Sequence, residues 1–372
     1  MDNRVGVCVA AVAALGLCLA TGAALADNKH KEKEKLAVDK VKGPLSVLVL
    51  GSGGPVAAAS GRASAAYLIF CDGEPCVLMD AGGGAYQRLA ASGANVRNLD
   101  IVLLSHLHID HTGDLSSIIK TIYFHARGFN LANKAFPPGR TAPIRIFGPA
   151  ANGAEFPPVL EADPGVAQYP SSSEYVHGHY DLNTGLERYL NIFSRAISGG
   201  IFDYKPMDVS PDWTAYNPET LIDEDGLVIT AVGVNHGPVP ALAFRIEYKG
   251  HTIVYSGDTS SRSTTLDGAP LPNGGNMVSI SRGADLLIYD TAITDDLPNG
   301  PNDAVFFGLH TTPSRIGEVA TAAGVKHLVL SHITPITEPR LKEVKKRVRA
   351  QGYRRKLSAA EDLNVYNLKH HD

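Results

Sequence analysis

The sequence has no excess of basic charge: 34 Lys and Arg stand against 38 Asp and Glu, a formal net charge of −4 over 372 residues. Nucleic acids and anionic membranes are held by clustered cations, so this balance disfavours both as partners. The visible clusters do not alter that reading. "KHKEKEK" alternates in sign, and "RLKEVKKRVRAQGYRRK" reads as the solvated face of a helix. A nucleotide-binding glycine loop is also missing, because "GSGGP" at 51–55 has neither the Gly-x-Gly-x-x-Gly order nor the Lys-Ser/Thr of a P-loop. It reads as a turn. No internal repeat occurs. Cysteine is scarce, with four in the chain, and the only long apolar run lies at the start. The remainder, 44% hydrophobic and 19% charged, is ordinary globular composition for one large domain or two modest ones.

Residues 1–26 differ from the rest. Arg4 precedes "VGVCVAAVAALGLCLATGA", and the small-residue exit "ALA" at Ala24–Ala26 is followed by Asp27. This predicts a cleaved signal peptide and a periplasmic or secreted protein. The alternative is a membrane-spanning anchor, since the run approaches the ~20 residues a span needs. Neither Cys8 nor Cys18 sits in a lipoprotein pattern, so no lipid anchor is expected. Residues 27–42 form a charged flexible leader. Maturation leaves Cys71 and Cys76, in "IFCDGEPCVLMD", flanking a turn between two apolar runs. Export allows them to form a disulfide; free thiols remain the alternative, and a metal pair would lack two further ligands.

The domain at 43–372 opens with short runs rich in Val, Leu and Ile at Leu45–Leu50, Ala65–Phe70 and Cys76–Asp80, separated by Gly, Ser and Pro. Later runs are "LDIVLLS", "LVITAVGV", "AFRIEY", "TIVYS", "DLLIYD" and "HLVLS". Helical rhythm appears near Tyr86–Ala91, Ser116–Tyr123, Pro313–Ala323 and Glu338–Ala350. The pattern predicts an α/β protein of sheets covered by helices. The middle, about 125–222, is rich in Pro, Gly, Asn and Tyr, and only "GLERYLNIFSRAI" looks helical. It reads as a helical and loop insertion.

One stretch carries chemistry. "LLSHLHIDHTGD", residues 103–114, puts three histidines and two aspartates behind an apolar run. Side chains two apart on an extended segment point the same way, so His106 and His108 can share one metal ion. Asp110 and His111 follow where the chain turns and can face a second ion. Asp114 is left as a helix cap. Three further strands run into a ligand-type residue in the same manner: "LVITAVGVNH" at His236, "TIVYSGD" at Asp258 and "HLVLSH" at His332. Carboxyl ends of strands are where layered α/β proteins bind ligands.

These motifs, with "GSGGP" and "VLMDAG" upstream, resemble the metallo-β-lactamase superfamily across Leu45–Leu368. The resemblance implies a four-layer αββα sandwich with a dinuclear zinc site, although manganese or iron can use the same donors. By that likeness His106, His108 and His236 bind the first ion, Asp110, His111 and His332 the second, and Asp258 both. "HGPVPALAFRIEYKGHTIVYSGDT", "GLHTTPSRIGEVATAAGVKHLVLSH", "FGPAANG" and "AAEDLNVYNL" resemble its phosphodiesterase and arylsulfatase-like branch, which includes the tRNA 3′-end endonucleases. There His310 would act as proton donor, so the expected catalytic residues are His310, Asp110 and Asp258. The likeness implies hydrolysis of sulfate or phosphate esters by a metal-bridging hydroxide, with small aryl sulfates preferred over tRNA because of the acidic charge and the signal segment. A phosphodiesterase, with cyclic nucleotides among its candidate substrates, is the nearest alternative. β-Lactam hydrolysis and a non-catalytic metal-stabilised binding protein are more distant ones. Relatives suggest a homodimer.

Other polar residues receive smaller roles. Arg62 is read as a surface residue or an anion contact. His177 and His179 in "VHGHY" have ligand spacing without a third donor and are read as surface residues, while His125, His251 and His327 are read as packing or surface histidines. Asp290, ending "DLLIYD", is expected to orient a ligand histidine.

Overall fold

A computed structural model describes residues 35–126, 142–154, 168–190, 203–210, 216–260, 275–297 and 304–369. The described strands form two sheets of seven. The first runs, in spatial order, β14 (Val365–Leu368), β1 (Leu45–Gly51), β2 (Ala66–Cys71), β3 (Glu74–Met79), β4 (Ile101–Leu103), β5 (Ile144–Pro149) and β6 (Tyr204–Val209). The second runs β13 (Lys356–Ala359), β12 (His327–Ser331), β11 (Leu286–Asp290), β10 (His251–Tyr255), β9 (Val239–Tyr248), β8 (Leu227–His236) and β7 (Glu219–Glu224). Strands β3 to β6 are parallel, as are β10 to β13, while the remaining pairs are antiparallel.

The continuous apolar runs seen in the sequence are strands buried on both faces. Along β1, Val47 and Val49 join the core between the sheets, and Leu48 and Leu50 join the core under the helices. The second sheet repeats the division: Leu286 and Ile288 on β11 face the other sheet, and Leu287 and Tyr289 face outward. Helices α1 (Ala85–Ser92), α3 (Leu115–Ala126) and α4 (Ser172–Tyr180) cover the first sheet through Leu89, Ile118, Ile122, Val176 and Tyr180. Helices α5 (Gly275–Ile280), α7 (Pro313–Ala322) and α8 (Leu341–Ala350) cover the second through Met277, Ile316, Val319, Val344 and Val348. The layers are therefore helix, sheet, sheet, helix, the αββα sandwich expected. Cys71 and Cys76 are joined as a disulfide across the β2–β3 hairpin.

Two expected boundaries change. Residues 1–34, which include the expected signal peptide and the first half of the leader, lie outside the described residues. The last part of the leader, however, belongs to the fold. Ala37 is buried under the first sheet, Val38 and Val41 pack beside it, and the Lys42 amide donates to Asn367 Oδ1 at 2.8 Å. The compact unit starts at Leu36. The region 125–222 is also more than an insertion, since it supplies β5 and β6 to the first sheet and β7 to the second. Strands β6 ("YKPMDV") and β7 ("ETLIDE") are sheet edges, and the Pro and charge that suit an edge break the apolar pattern that marks an inner strand. The expected helix in "GLERYLNIFSRAI" falls mostly outside the described residues.

Candidate metal centre

The carboxyl ends of strands from both sheets meet at one place. The first sheet brings Asp80, which follows β3, and the segment from His106, which follows β4. The second brings His236 at the end of β8, Asp258 after β10, Asp290 at the end of β11 and His332 after β12. Asp80 and His332 hold positive φ angles of 55° and 54°, which turn the chain directly after each strand. Such backbone costs roughly 1–3 kcal/mol per residue and persists where surrounding structure imposes it.

His106 and His108 lie on an extended stretch, and His108 then starts the single helical turn α2 (Ile109–Thr112), which redirects Asp110 and His111. The expected change of direction is therefore built into the backbone. His106 Nε2 lies 3.0 Å from His108 Nδ1, and His236 Nε2 lies 3.3 Å from the same atom. His236 Nδ1 donates to the Leu309 carbonyl at 2.8 Å, which leaves its Nε2 lone pair facing the other two rings. Burial lowers the pKa of His236 to about 3, and burial together with His111 holds His106 well below the ordinary value. Neutral imidazoles are the form that ligates metal.

Asp110, His111, Asp258 and His332 form the second group, and all four are buried. His332 Nε2 is 3.0 Å from Asp110 Oδ2 and 3.1 Å from Asp258 Oδ2, and His111 Nε2 is 3.3 Å from Asp258 Oδ1. Asp258 also comes within 3.9 Å of His106 Nε2, so it borders both groups. Burial opposes charge on Asp258, but His332 and His111 outweigh it and keep the carboxyl ionised far below the usual range. Burial likewise opposes a charged His332, yet Asp258 and the hydrogen bonds to both carboxylates raise it to about 10. The two carboxylates thus favour positive charge placed between them. His111 Nε2 and Asp258 Oδ1 are buried without a hydrogen-bond partner, a costly arrangement that a cation resolves. The donors fit two divalent ions of the zinc, manganese or iron kind.

A third group sits beside these. His310, directly after α6 (Ala304–Leu309), donates from Nδ1 to Asp290 Oδ2 at 2.8 Å, with its ring 5.6 Å from that of His236 and 5.3 Å from that of His332. Burial lowers its pKa, but Asp290 more than compensates and raises it above the ordinary value. Asp290 therefore serves His310 first, and its other oxygen is 3.5 Å from His332 Nδ1.

Sequence reasoning misses Asp80. Its carboxylate accepts four hydrogen bonds, each 2.7 Å, from the Ser105 amide, Ser105 Oγ, His111 Nδ1 and Tyr255 OH. It fixes the His111 tautomer so that Nε2 faces the centre. The signal is present in "VLMDAG", an aspartate closing an apolar strand just as Asp258 and Asp290 follow theirs. Arg62 is turned towards its own fold rather than towards solvent. Its side chain is largely covered, pairs at 2.8 Å with Glu338 and Glu361, and bonds Ser52 Oγ and the Ala360 carbonyl. Its guanidinium is committed to tying the loop after β1 to the C-terminal segment. His177 and His179 are two apart on α4 and diverge. His327 packs with its Nε2 2.8 Å from Ser358 Oγ, and His251 is buried 3.8 Å from Asp285.

A model of the metallo-beta-lactamase superfamily matches residues 59–294, more than half of the chain. The chain belongs to the metallo-β-lactamase superfamily. It is similar to the ribonuclease Z of Mycobacterium marinum, 27% identical over 296 residues that cover 78% of this chain and 87% of the relative. Among solved structures it resembles the metallo-beta-lactamase fold protein YhfI of Bacillus subtilis (TM-score 0.57, 21% identity, 87% of this chain and 99% of the other). It also resembles the short form of human tRNase Z (TM-score 0.55, 20% identity, 86% and 98%). The two structural likenesses show a shared fold. The superfamily is one of metal-dependent hydrolases, and this chain is a hydrolase of that fold.

The "GSGGP" turn of this metallo-β-lactamase domain abuts the centre. A Cβ on Gly54 would stand 2.7 Å from His332 Cε1 and 2.9 Å from its Nδ1, closer than real contacts allow. Gly54→Ala should displace His332 and weaken retention of the ion in the second group by about 10–100-fold. Metal content after dialysis against a graded chelator checks this. Gly178→Ala, where an added Cβ meets nothing within 4 Å, is expected to behave as the parent, and equal retention in both variants would refute the steric argument.

Proposed function

We propose that this protein is an exported, dinuclear metal-dependent phosphodiesterase acting on small esters. The observation that carries this reading is Asp258, whose two oxygens lie 3.3 Å from His111, 3.1 Å from His332 and 3.9 Å from His106, so that one carboxylate addresses both donor groups. In the proposed assignment His106, His108 and His236 hold one ion, Asp110, His111 and His332 the other, and Asp258 both. When bound, such ions bring the pKa of water to near ~7 and polarise the oxygens of an ester. Asp80 and the Leu309 carbonyl hold His111 and His236 in the ligating tautomer. His310, oriented by its Nδ1 bond to Asp290, protonates the departing oxygen from Nε2.

Likeness to a ribonuclease over most of the chain supports phosphorus as the reacting centre. The net charge of −4 argues for a small diester over a long RNA. The apolar N-terminal segment and the Cys71–Cys76 disulfide support export to an oxidising compartment. The aryl sulfate suggested by the sequence is the competing substrate. Initial rates on an aryl sulfate and a bis-aryl phosphodiester sharing one phenol, each with and without chelator, separate the two. The phosphodiester is expected to be the faster and to lose its turnover with chelator. Faster chelator-sensitive sulfate turnover would sink the proposal.

A further inference from the structure

A cavity of about 370 Å³, formed by α2, α3, α4 and the segment after α4, adjoins the helical turn that carries Asp110 and His111. Its walls include Ile109, Ser116, Lys120, Tyr175, His179 and Tyr189. Ligand sites of small molecules start near ~300 Å³ and combine aromatic walls with a few polar groups. Ile109 stands between His108 and Asp110 in the chain, yet 77% of it is exposed, and Tyr189 is 56% exposed. Two large apolar side chains are therefore left uncovered on the cavity wall, and one of them, Ile109, is flanked in the chain by metal donors. Tyr175 bonds Thr112 on α2, and its ring lies 4.7 Å from that of His179. His179 Nδ1 lies 3.8 Å from Glu187, which ties the cavity wall formed by α4 to the segment after it. Lys120 also lines the cavity.

We propose that this cavity receives the organic group that stays on phosphorus, and that the group is a planar aromatic ring. The inference rests on the phosphodiesterase reading. His310 approaches the centre from the second sheet, where it serves the departing oxygen, whereas the cavity borders it from α2 on the first sheet. The group that leaves and the group that remains then have separate places. Ile109 and Tyr189 supply apolar and aromatic surface for the retained ring, and Lys120 meets an additional anionic group on it.

The test uses the metal-loaded protein and three diesters with the same 4-nitrophenol leaving group, in which the retained group is methyl, 4-nitrophenyl or thymidine. The aromatic diesters should exceed the methyl one in kcat/KM, and the larger of the two identifies an aryl ring or a nucleobase as the better occupant. Tyr189→Ala, and Ser117→Trp, which fills the cavity, should each reduce the ratio of aromatic to methyl kcat/KM by about five- to tenfold, mainly through KM. Leu186→Ala, at an exposed position outside the cavity, should keep the parental ratio. Calorimetric binding of diphenylphosphinate against dimethylphosphinate, neither of which has an ester bond, gives the same ratio without turnover. If no diester is cleaved but Tyr189→Ala still removes the preference for diphenylphosphinate, the phosphodiesterase reading fails and the cavity stands. If both variants leave the ratios unchanged, the cavity assignment is overturned.

Discussion

Asp258→Asn is expected to lower kcat/KM on a phosphodiester by about 10³-fold or more while the protein remains folded, since each 1.36 kcal/mol of lost transition-state stabilisation is tenfold in rate. The substitution keeps the shape of the side chain and removes its charge. Asp258 is buried and faces His106, His111 and His332 at once, so a neutral amide there leaves three imidazoles without the carboxylate that borders both donor groups. The amide nitrogen would also point N–H donors at groups that must face a cation. Metal analysis should show loss of ion from both groups, whereas Asp110→Asn should mainly affect the second. Circular dichroism and metal content measured together check the claim. A variant that keeps both ions and stays within tenfold of the parental rate would remove Asp258 from the shared position.

His310→Ala should behave differently, keeping the metal and losing turnover. Proton transfer by a positioned side chain contributes about 10²–10⁴-fold, and the loss should grow as the leaving group becomes more basic. Aryl diesters depart as stabilised phenoxides and should lose least; alkyl leaving groups should lose most. Asp290→Asn should give a smaller loss with the same dependence, because it accepts the His310 Nδ1 proton at 2.8 Å and acts through that ring. A plot of log kcat/KM against leaving-group pKa for the three proteins is the measurement. Parallel lines would mean that His310 does not deliver the proton, and loss of metal from His310→Ala would make it a structural residue.

The parts of the centre that are legible in the sequence share one physical origin. Strands β4, β8, β10 and β12 are buried on both faces or nearly so, and each therefore reads as an apolar run with a donor at or just beyond its end. Edge strands have no such signature, which is why β6 and β7 look like insertion in the sequence. Asp80 is obscure for another reason: its partners Ser105 and Tyr255 are 25 and 175 residues away in the chain, and nothing local announces them. Arg62 has the same character, with Glu338 and Glu361 far along the chain deciding whether it meets solvent or its own fold. The aromatic cavity needs α4 folded against α2 and α3 before it exists, so spacing along the chain does not reveal it.

The donors are divided between the two sheets: His106, His108, Asp110 and His111 belong to the first, His236, Asp258 and His332 to the second. Neither sheet holds a complete set for either proposed ion. Bound ions would consequently act as rivets through the seam of the sandwich, resisting any sliding of one sheet over the other, and the closure entropy of the long intervening chain would already have been met by folding. Metal retention then becomes a gauge of seam integrity: a substitution far from the centre that lets the sheets shift would show itself first as ion leakage, before any secondary structure is lost.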